Sequence, residues 1–186
     1  MRPMSVLVVL RGNSGSGKST VARELRRRHG RGCALVDQDY LRRTVLREHD
    51  VAGGLAPTLV AATARLALTH GYSVVLEGIL TAERYREELV ALAAGHSGRS
   101  TFFWFDVSLP ETLRRHATRP LAATVGPDAL TSWYLESDRL GAPDEHVIAE
   151  ASTLDETVAF VAERSGLPQD GRTEDYLPFA RTRPDS

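Results

Sequence analysis

Lysine is almost missing from this chain. Lys18 is the only one among 186 residues, and every other strong base is arginine. A sequence that writes arginine nearly everywhere has kept lysine where shape matters as well as charge. Cysteine is equally scarce. Cys33 stands alone, which excludes an internal disulfide and a cysteine-based metal site. At the start of an expected strand it reads as a small core residue. Neither sign of charge is in excess. The net charge is −1 and the sequence pI about 6.6, which argues against a protein that grips duplex nucleic acid. No apolar run approaches membrane-spanning length. Met1–Leu10 is too short for a signal peptide and leads straight into a glycine-rich loop. Internal repeats and interdomain linkers are missing too. The expectation is one soluble cytoplasmic domain with a substantial core.

What is present is concentrated around that lysine. Gly12, Asn13, Ser14, Gly15, Ser16, Gly17, Lys18 and Ser19 spell G-x-x-x-x-G-K-[ST], with Thr20 next. This is the phosphate-binding loop. Glycines let the backbone approach an anion, and successive N–H groups point at its oxygens. A compact ammonium reaches between two phosphate groups where a broad guanidinium does not fit. The apolar run Val6–Leu10 before the loop reads as a buried parallel strand. The segment after it is amphipathic, with Val21 and Leu25 on one face and arginines outside. The helix dipole then faces the same anion. Ser19 is the candidate metal ligand, offering its hydroxyl to Mg²⁺ bridging the outer phosphates of ATP.

Strands and helices alternate along the rest of the chain. Cys33–Asp37, Tyr72–Glu77, Thr101–Val107 and a weak Glu145–Ala149 read as further strands. Asp39 to about His49 reads as a short helix. A second has Leu59, Ala62 and Leu66 on its inner face and ends near Gly71. Thr81–Ala94 is a helix with Tyr85, Leu89 and Leu92 inward, stopped by Gly95. Ser108 with Glu111 has capping-box spacing, and Pro120 ends that helix near Arg119. Pro127–Leu140 reads as helical. Thr153 with Glu156 opens a last helix with Leu154, Val158 and Val161 inward. Alternation of this kind implies a parallel sheet covered on both faces. Residues 1–168 are expected to form the domain, with a lid over about 114–128 and a tail over 169–186.

Ligands of such sheets bind at the carboxyl ends of the strands. Asp37 and Asp39 leave the second strand there. One carboxylate suits the acceptor hydroxyl and the other the metal, with Asp39 preferred as the base. Capping the following helix is the other role open to Asp39, and two oxygens allow both. Glu77 ends the third strand and can accept from substrate hydroxyls or hold a metal-bound water; a turn residue is the alternative. Gly78 signals close approach of something to the backbone. Asp106 reads as a loop acid. The run Leu113–Pro120 carries Arg114, Arg115 and Arg119. Arg115 and Arg119 share a helical face and suit a transferred phosphoryl group, or else form a solvated face. One of Arg42 and Arg43 is expected to reach the acceptor, or its phosphate if it carries one. Trp133 and Tyr134 either line the acceptor pocket or pack.

With these residues in place the chain resembles the small P-loop kinases around zeta toxins and chloramphenicol phosphotransferase. The resemblance spans roughly residues 5–165. It rests on Gly12–Thr20, the Asp37–Asp39 pair, Leu76-Glu77-Gly78, and the Arg114–Arg119 stretch. It is closer still to a set of bacterial P-loop kinases sharing a Gln-Asp turn, here Gln38-Asp39, and an aromatic–acid stretch, here Trp133–Asp138. The resemblance implies an α/β P-loop NTPase sandwich with a five-stranded parallel sheet and a helical lid, like nucleoside monophosphate kinases. It implies ATP and Mg²⁺ as cofactors, Asp39 as general base, and transfer of the γ-phosphoryl group to a small-molecule hydroxyl. An antibiotic, nucleoside, sugar or sugar nucleotide is the implied acceptor, and a monomer or homodimer the implied state. Two other classes stay open: an acceptor-independent ATPase or nucleotide switch, and a 5′-end nucleic-acid kinase. A guanine switch is disfavoured, because the Asn-Lys-x-Asp motif that such switches usually carry needs a second lysine.

Overall fold

The buried character of β1 organises the molecule. The computed structural model describes residues 4–118 and 125–169. It contains β1 (Leu7–Gly12), β2 (Cys33–Asp37), β3 (Ser73–Gly78), β4 (Ser100–Asp106) and β5 (Glu145–Ala149). They form one sheet in the order β2-β3-β1-β4-β5, every neighbouring pair parallel. The helices between them are α1 (Lys18–His29), α3 (Ala56–Thr69), α4 (Ala82–Ala94), α5 (Leu109–Ala117), α6 (Pro127–Trp133) and α7 (Leu154–Ser165). A short α2 (Gln38–Tyr40) runs directly into a π-helical segment (Leu41–Leu46).

The side chains along β1 alternate between two cores. Val8 and Leu10 meet Val21 and Leu25 of α1 and Val158 and Val161 of α7. Leu7 and Val9 face the other way, toward Val60 and Leu68 of α3 and Tyr85 and Leu89 of α4. With both faces covered, the central strand reads as an unbroken apolar run. The expected α/β three-layer sandwich is therefore what forms, with α1 and α7 on one face and α3 and α4 on the other. Among the described residues no helix is long and apolar enough to cross a membrane. Cys33 is buried, and burial pushes its thiol up to about 11, so it is an inert core group.

Several elements depart from expectation. In α3 the buried stripe is Val60, Ala61, Ala64 and Leu68, while Leu66 is 63% exposed and Ala62 lies outside. The helix is so rich in alanine that two stripes look equally apolar, and the small residues are the ones that fit against the sheet. The helix expected over Asp39–His49 starts one residue earlier and widens into π turns, closed by Glu48 N–H donating to the Arg42 carbonyl. Its cap is Asp37, whose Oδ1 accepts from Tyr40 N at 3.0 Å, and not Asp39. The Ser108 side chain does not cap α5. Glu111 is drawn away by Arg114 and Arg115, whose hydrogen bonds pull its carboxyl down to about 2. The Ser108 N–H donates to Glu150 Oε2 instead. The box at Thr153 and Glu156 does form, but Leu154, the first residue of α7, is exposed. Helix α6 stops at Trp133, well short of Leu140, for a reason that lies in the phosphate loop. Of the expected lid over 114–128, residues 119–124 with Arg119 lie outside the described residues, as do residues 170–186 of the expected tail.

Candidate active site

The loop between β1 and α1 is shaped by its glycines and by what surrounds it. Gly15 has φ +82°, and a Cβ there would lie 2.9 Å from the Thr112 carbonyl oxygen of α5. A side chain is therefore both strained and obstructed at this position. Gly17 caps α1 in the left-handed region, so the helix opens at Lys18. The Lys18 ammonium is buried and donates to the Asn13 carbonyl at 3.1 Å, curling back over the loop. The result is a ring of backbone N–H groups at a helix N-terminus with an ammonium inside it, a geometry that fits phosphate oxygens.

Asn13 has a second duty. Its side-chain amide donates to Leu135 O at 2.7 Å and its Oδ1 accepts from Leu135 N at 2.9 Å. This paired contact pulls the chain out of α6 immediately after Trp133. Arg11 fastens the same strand nearby. It is fully buried at the end of β1, donating to Leu80 O at 2.9 Å and to Asp138 Oδ2 at 2.8 Å. Glu145 lies 3.5 Å away and the Trp104 ring 5.5 Å. Asp138 in turn accepts from Ala82 N at 2.8 Å. Leu80, held by this arginine, has φ +48°, and it carries the chain from β3 into the wall of a cavity. A charged residue inside an apolar strand was the sequence signal for this brace.

Glu77 is buried within β3 and is not a turn residue. Burial raises its carboxyl above the ordinary range, Lys18 opposes that shift and Asp37 adds to it. The Ser19 hydroxyl donates to it. Lys18, Ser19, Asp37 and Glu77 thus meet at the carboxyl ends of β2 and β3, beside the loop. The close approach expected at Gly78 is by Gln38: a Cβ on Gly78 would lie 2.7 Å from the Gln38 Cβ. Gln38 is itself buried and donates to the Tyr85 hydroxyl at 2.9 Å.

Asp39 is exposed beside this cluster. Its Oδ1 accepts from Arg42 Nη2 at 2.7 Å and from Arg43 Nε at 3.0 Å. Among the described residues its Oδ2 has no partner. A cavity of about 180 Å³ is lined by Lys18, Ser19, Asp37, Asp39, Glu77 and Trp133, so the predicted acids, the lysine and the tryptophan come together. Arg23, expected on a solvated face, also reaches it. A larger cavity of about 480 Å³ shares Arg43, Ile79 and Trp133 with the first and is lined further by Arg42, His49, Asp50 and Arg84. The last three escaped the sequence reading, since nothing local marks them. Tyr134 is elsewhere, its hydroxyl donating to Val107 O at 3.1 Å.

On the opposite flank of the loop lies a cavity of about 190 Å³, lined by Gly17, Thr20, Val21, Phe105, Arg115 and Ile148 among others. Arg115 donates to Ser16 O at 3.0 Å and to Glu150 O at 2.9 Å, with Glu111 beside it. Arg114 pairs with Glu111 and is solvated. Asp106 is exposed, but it is the last residue of β4, paired with Ala149, and not the loop acid expected.

The AAA domain family matches residues 7–133, from the first residue of β1 to the last of α6. The chain belongs to that family. No curated protein matches it. Among solved structures, this AAA domain is similar to a gluconokinase from Sinorhizobium meliloti 1021, with 21% identity and a TM-score of 0.64 over 89% of this chain and 96% of that one. It is similar to a sugar kinase from a Janibacter species, with 17% identity and a TM-score of 0.71 over 90% and 99%. The APS kinase of Mycobacterium tuberculosis, in complex with AMPPNP and APS, shares 20% identity and a TM-score of 0.67 over 87% and 98%. At such identities the likeness is one of fold.

Proposed function

We propose that this AAA domain is an ATP-dependent phosphotransferase that moves a γ-phosphoryl group to a hydroxyl of a small molecule. One observation carries the reading: Asp39 keeps Oδ2 open beside the Lys18 cavity while two arginines hold Oδ1. A carboxylate fixed by one oxygen and open at the other is suited to align a hydroxyl and accept its proton. In phosphoryl transfer, where the transition state is loose, alignment is most of what an enzyme supplies. The fold neighbours, named as sugar and APS kinases, support the class.

In this reading Gly12–Thr20 cradle the triphosphate and Lys18 leaves the Asn13 carbonyl for its outer oxygens. No group of three or more His, Cys, Asp or Glu side chains among the described residues is placed to hold an ion by itself. Ser19 would hold Mg²⁺ together with the nucleotide, Asp37 and Glu77 line the same cavity, and the ion would supply charge neutralisation at the outer phosphates. Arg115, tied to the loop carbonyl of Ser16, steadies the nucleotide. Arg119 is assigned to closing over the transferred group from a lid across residues 114–128. Trp133, Arg42 and Arg43 form the acceptor wall. The domain is assigned to residues 1–168, and the finer kinship with the zeta toxin and chloramphenicol phosphotransferase group belongs to this proposal.

The test is Asp39→Asn. Acceptor-dependent ADP formation is expected to fall by about 10²–10³-fold, with Mg·ATP affinity unchanged. Wild-type transfer by the variant refutes the base assignment. ATP hydrolysis by the native protein that no hydroxyl compound stimulates refutes the kinase reading.

A further inference from the structure

The two joined cavities differ in charge. Around the smaller one Lys18, Arg23 and Arg43 face Asp37, Asp39 and Glu77, three charges against three. Around the larger, Arg42, Arg43 and Arg84 face Asp50 alone, a surplus of two positive charges. Counting Asp39, which is bound to two of these arginines, still leaves a surplus of one. A cleft with an excess of positive charge focuses its field and draws ligands of opposite sign.

Two of the arginines are also incompletely used. Arg42 Nε is buried without a hydrogen-bond partner, although Nη1 and Nη2 are engaged by Glu48 O and Asp39. Arg43 uses only Nε, and its two terminal nitrogens have no partner among the described residues. Arg84 is held more fully: Nε donates to Thr81 Oγ1 at 3.0 Å, Nη1 donates to the Asp50 carbonyl, and Nη2 lies 3.7 Å from the Asp50 carboxylate, beyond hydrogen-bond distance. A guanidinium fork held this way matches two oxygens of a phosphate or carboxylate. The volume, about 480 Å³, is that of a small-molecule site.

We infer that the acceptor is itself an anion, and that Arg43 and Arg84 clamp a phosphate or carboxylate it carries, away from the hydroxyl that Asp39 aligns. This rests on the phosphotransferase reading for the hydroxyl, but the anion site stands on its own residues. It narrows the substrate class to phosphorylated or acidic hydroxy compounds and excludes neutral polyols as the favoured acceptor.

The probes are inorganic phosphate, acetate and, as the neutral comparison, glycerol. Each is titrated by NMR into protein already saturated with Mg·AMPPNP, so that the phosphate loop is filled. Saturable binding of phosphate or acetate, but not glycerol, is expected, and which anion binds tells the two sources apart. Arg84→Gln and Arg43→Gln should each weaken it by about tenfold or more. Arg65→Gln, beside a cavity lined by Ser5 and Gly95 away from the strand carboxyl ends, should not. Retained AMPPNP affinity certifies that each variant is folded. Absence of saturable anion binding in the native protein overturns the inference, as does equal binding of glycerol or equal loss in Arg65→Gln. Anion binding without any acceptor-dependent ADP formation leaves this site standing and fails the kinase reading. Transfer to a neutral polyol without anion binding does the reverse.

Discussion

The two flanks of the phosphate loop differ in what walls them. One is walled by Val21, Phe105, Val107 and Ile148, with a single arginine already committed to backbone carbonyls. The other is walled by arginines whose nitrogens are partly unspent and by a carboxylate with one free oxygen. An apolar slot with a backbone-bound arginine accepts an uncharged ring; a charged chamber accepts a polar, ionised molecule. The loop lies between them, with Asn13 bound to Leu135 on one side and Gly15 packed against Thr112 on the other.

The comparison is broken most completely at Lys18, which lines the smaller charged cavity beside the loop. Lys18→Ala should lower phosphoryl transfer by about 10³-fold in a single-turnover assay, yet leave anion binding at the arginine chamber intact. Loss of both would show the flanks to be one site. Next is Arg11, the brace behind the chamber. Arg11→Met strands Asp138 and Glu145 and should cost about 3–5 kcal/mol in a urea melt. Arg11→Lys should not restore it, because a point charge cannot reach Leu80 O and Asp138 together. Arg115→Gln sharpens the contrast from the other flank. It should raise the nucleotide KM by about tenfold while the acceptor KM stays put; equal changes in both would erase the division.

The smallest effect is a matter of pH. Burial raises the Glu77 carboxyl, so its charge costs stability at neutral pH. Glu77→Gln should raise the melting temperature by a few degrees at pH 7. The sign follows from the upward shift: the native residue's relative stability is complete below the ordinary carboxylate range and falls as pH rises through the shifted value. The gain in the variant therefore shrinks on acidification. A gain that grows toward low pH would place Glu77 as an ordinary ion-pair partner of Lys18.

Reading the chain without its structure reached some of these features and not others. Gly12–Thr20 were legible because a phosphate loop is specified by consecutive residues. Asp39 was legible because it follows a strand end at a fixed offset. The capping box of α7 was legible for the same reason, since Thr153 and Glu156 answer each other within one turn. The box at Ser108 was misread although its spacing is identical, because Arg114 and Arg115 outcompete the backbone for Glu111. The phase of α3 was misread because alanine leaves no amphipathic signature strong enough to choose a face.

The sequence alone determined the parallel sheet, the place of the anion-binding loop and the acid that faces it. Each of these is written in strand–helix periodicity or in residues adjacent along the chain, and local hydrogen bonding enforces them. Tertiary structure alone decided where α6 ends, what Arg11 holds and which arginines share a chamber. Those outcomes depend on partners such as Asn13 with Leu135 and Arg11 with Asp138, more than a hundred residues apart. Only the folded sheet brings such groups within bonding distance, and burial then makes leaving them unpaired too costly.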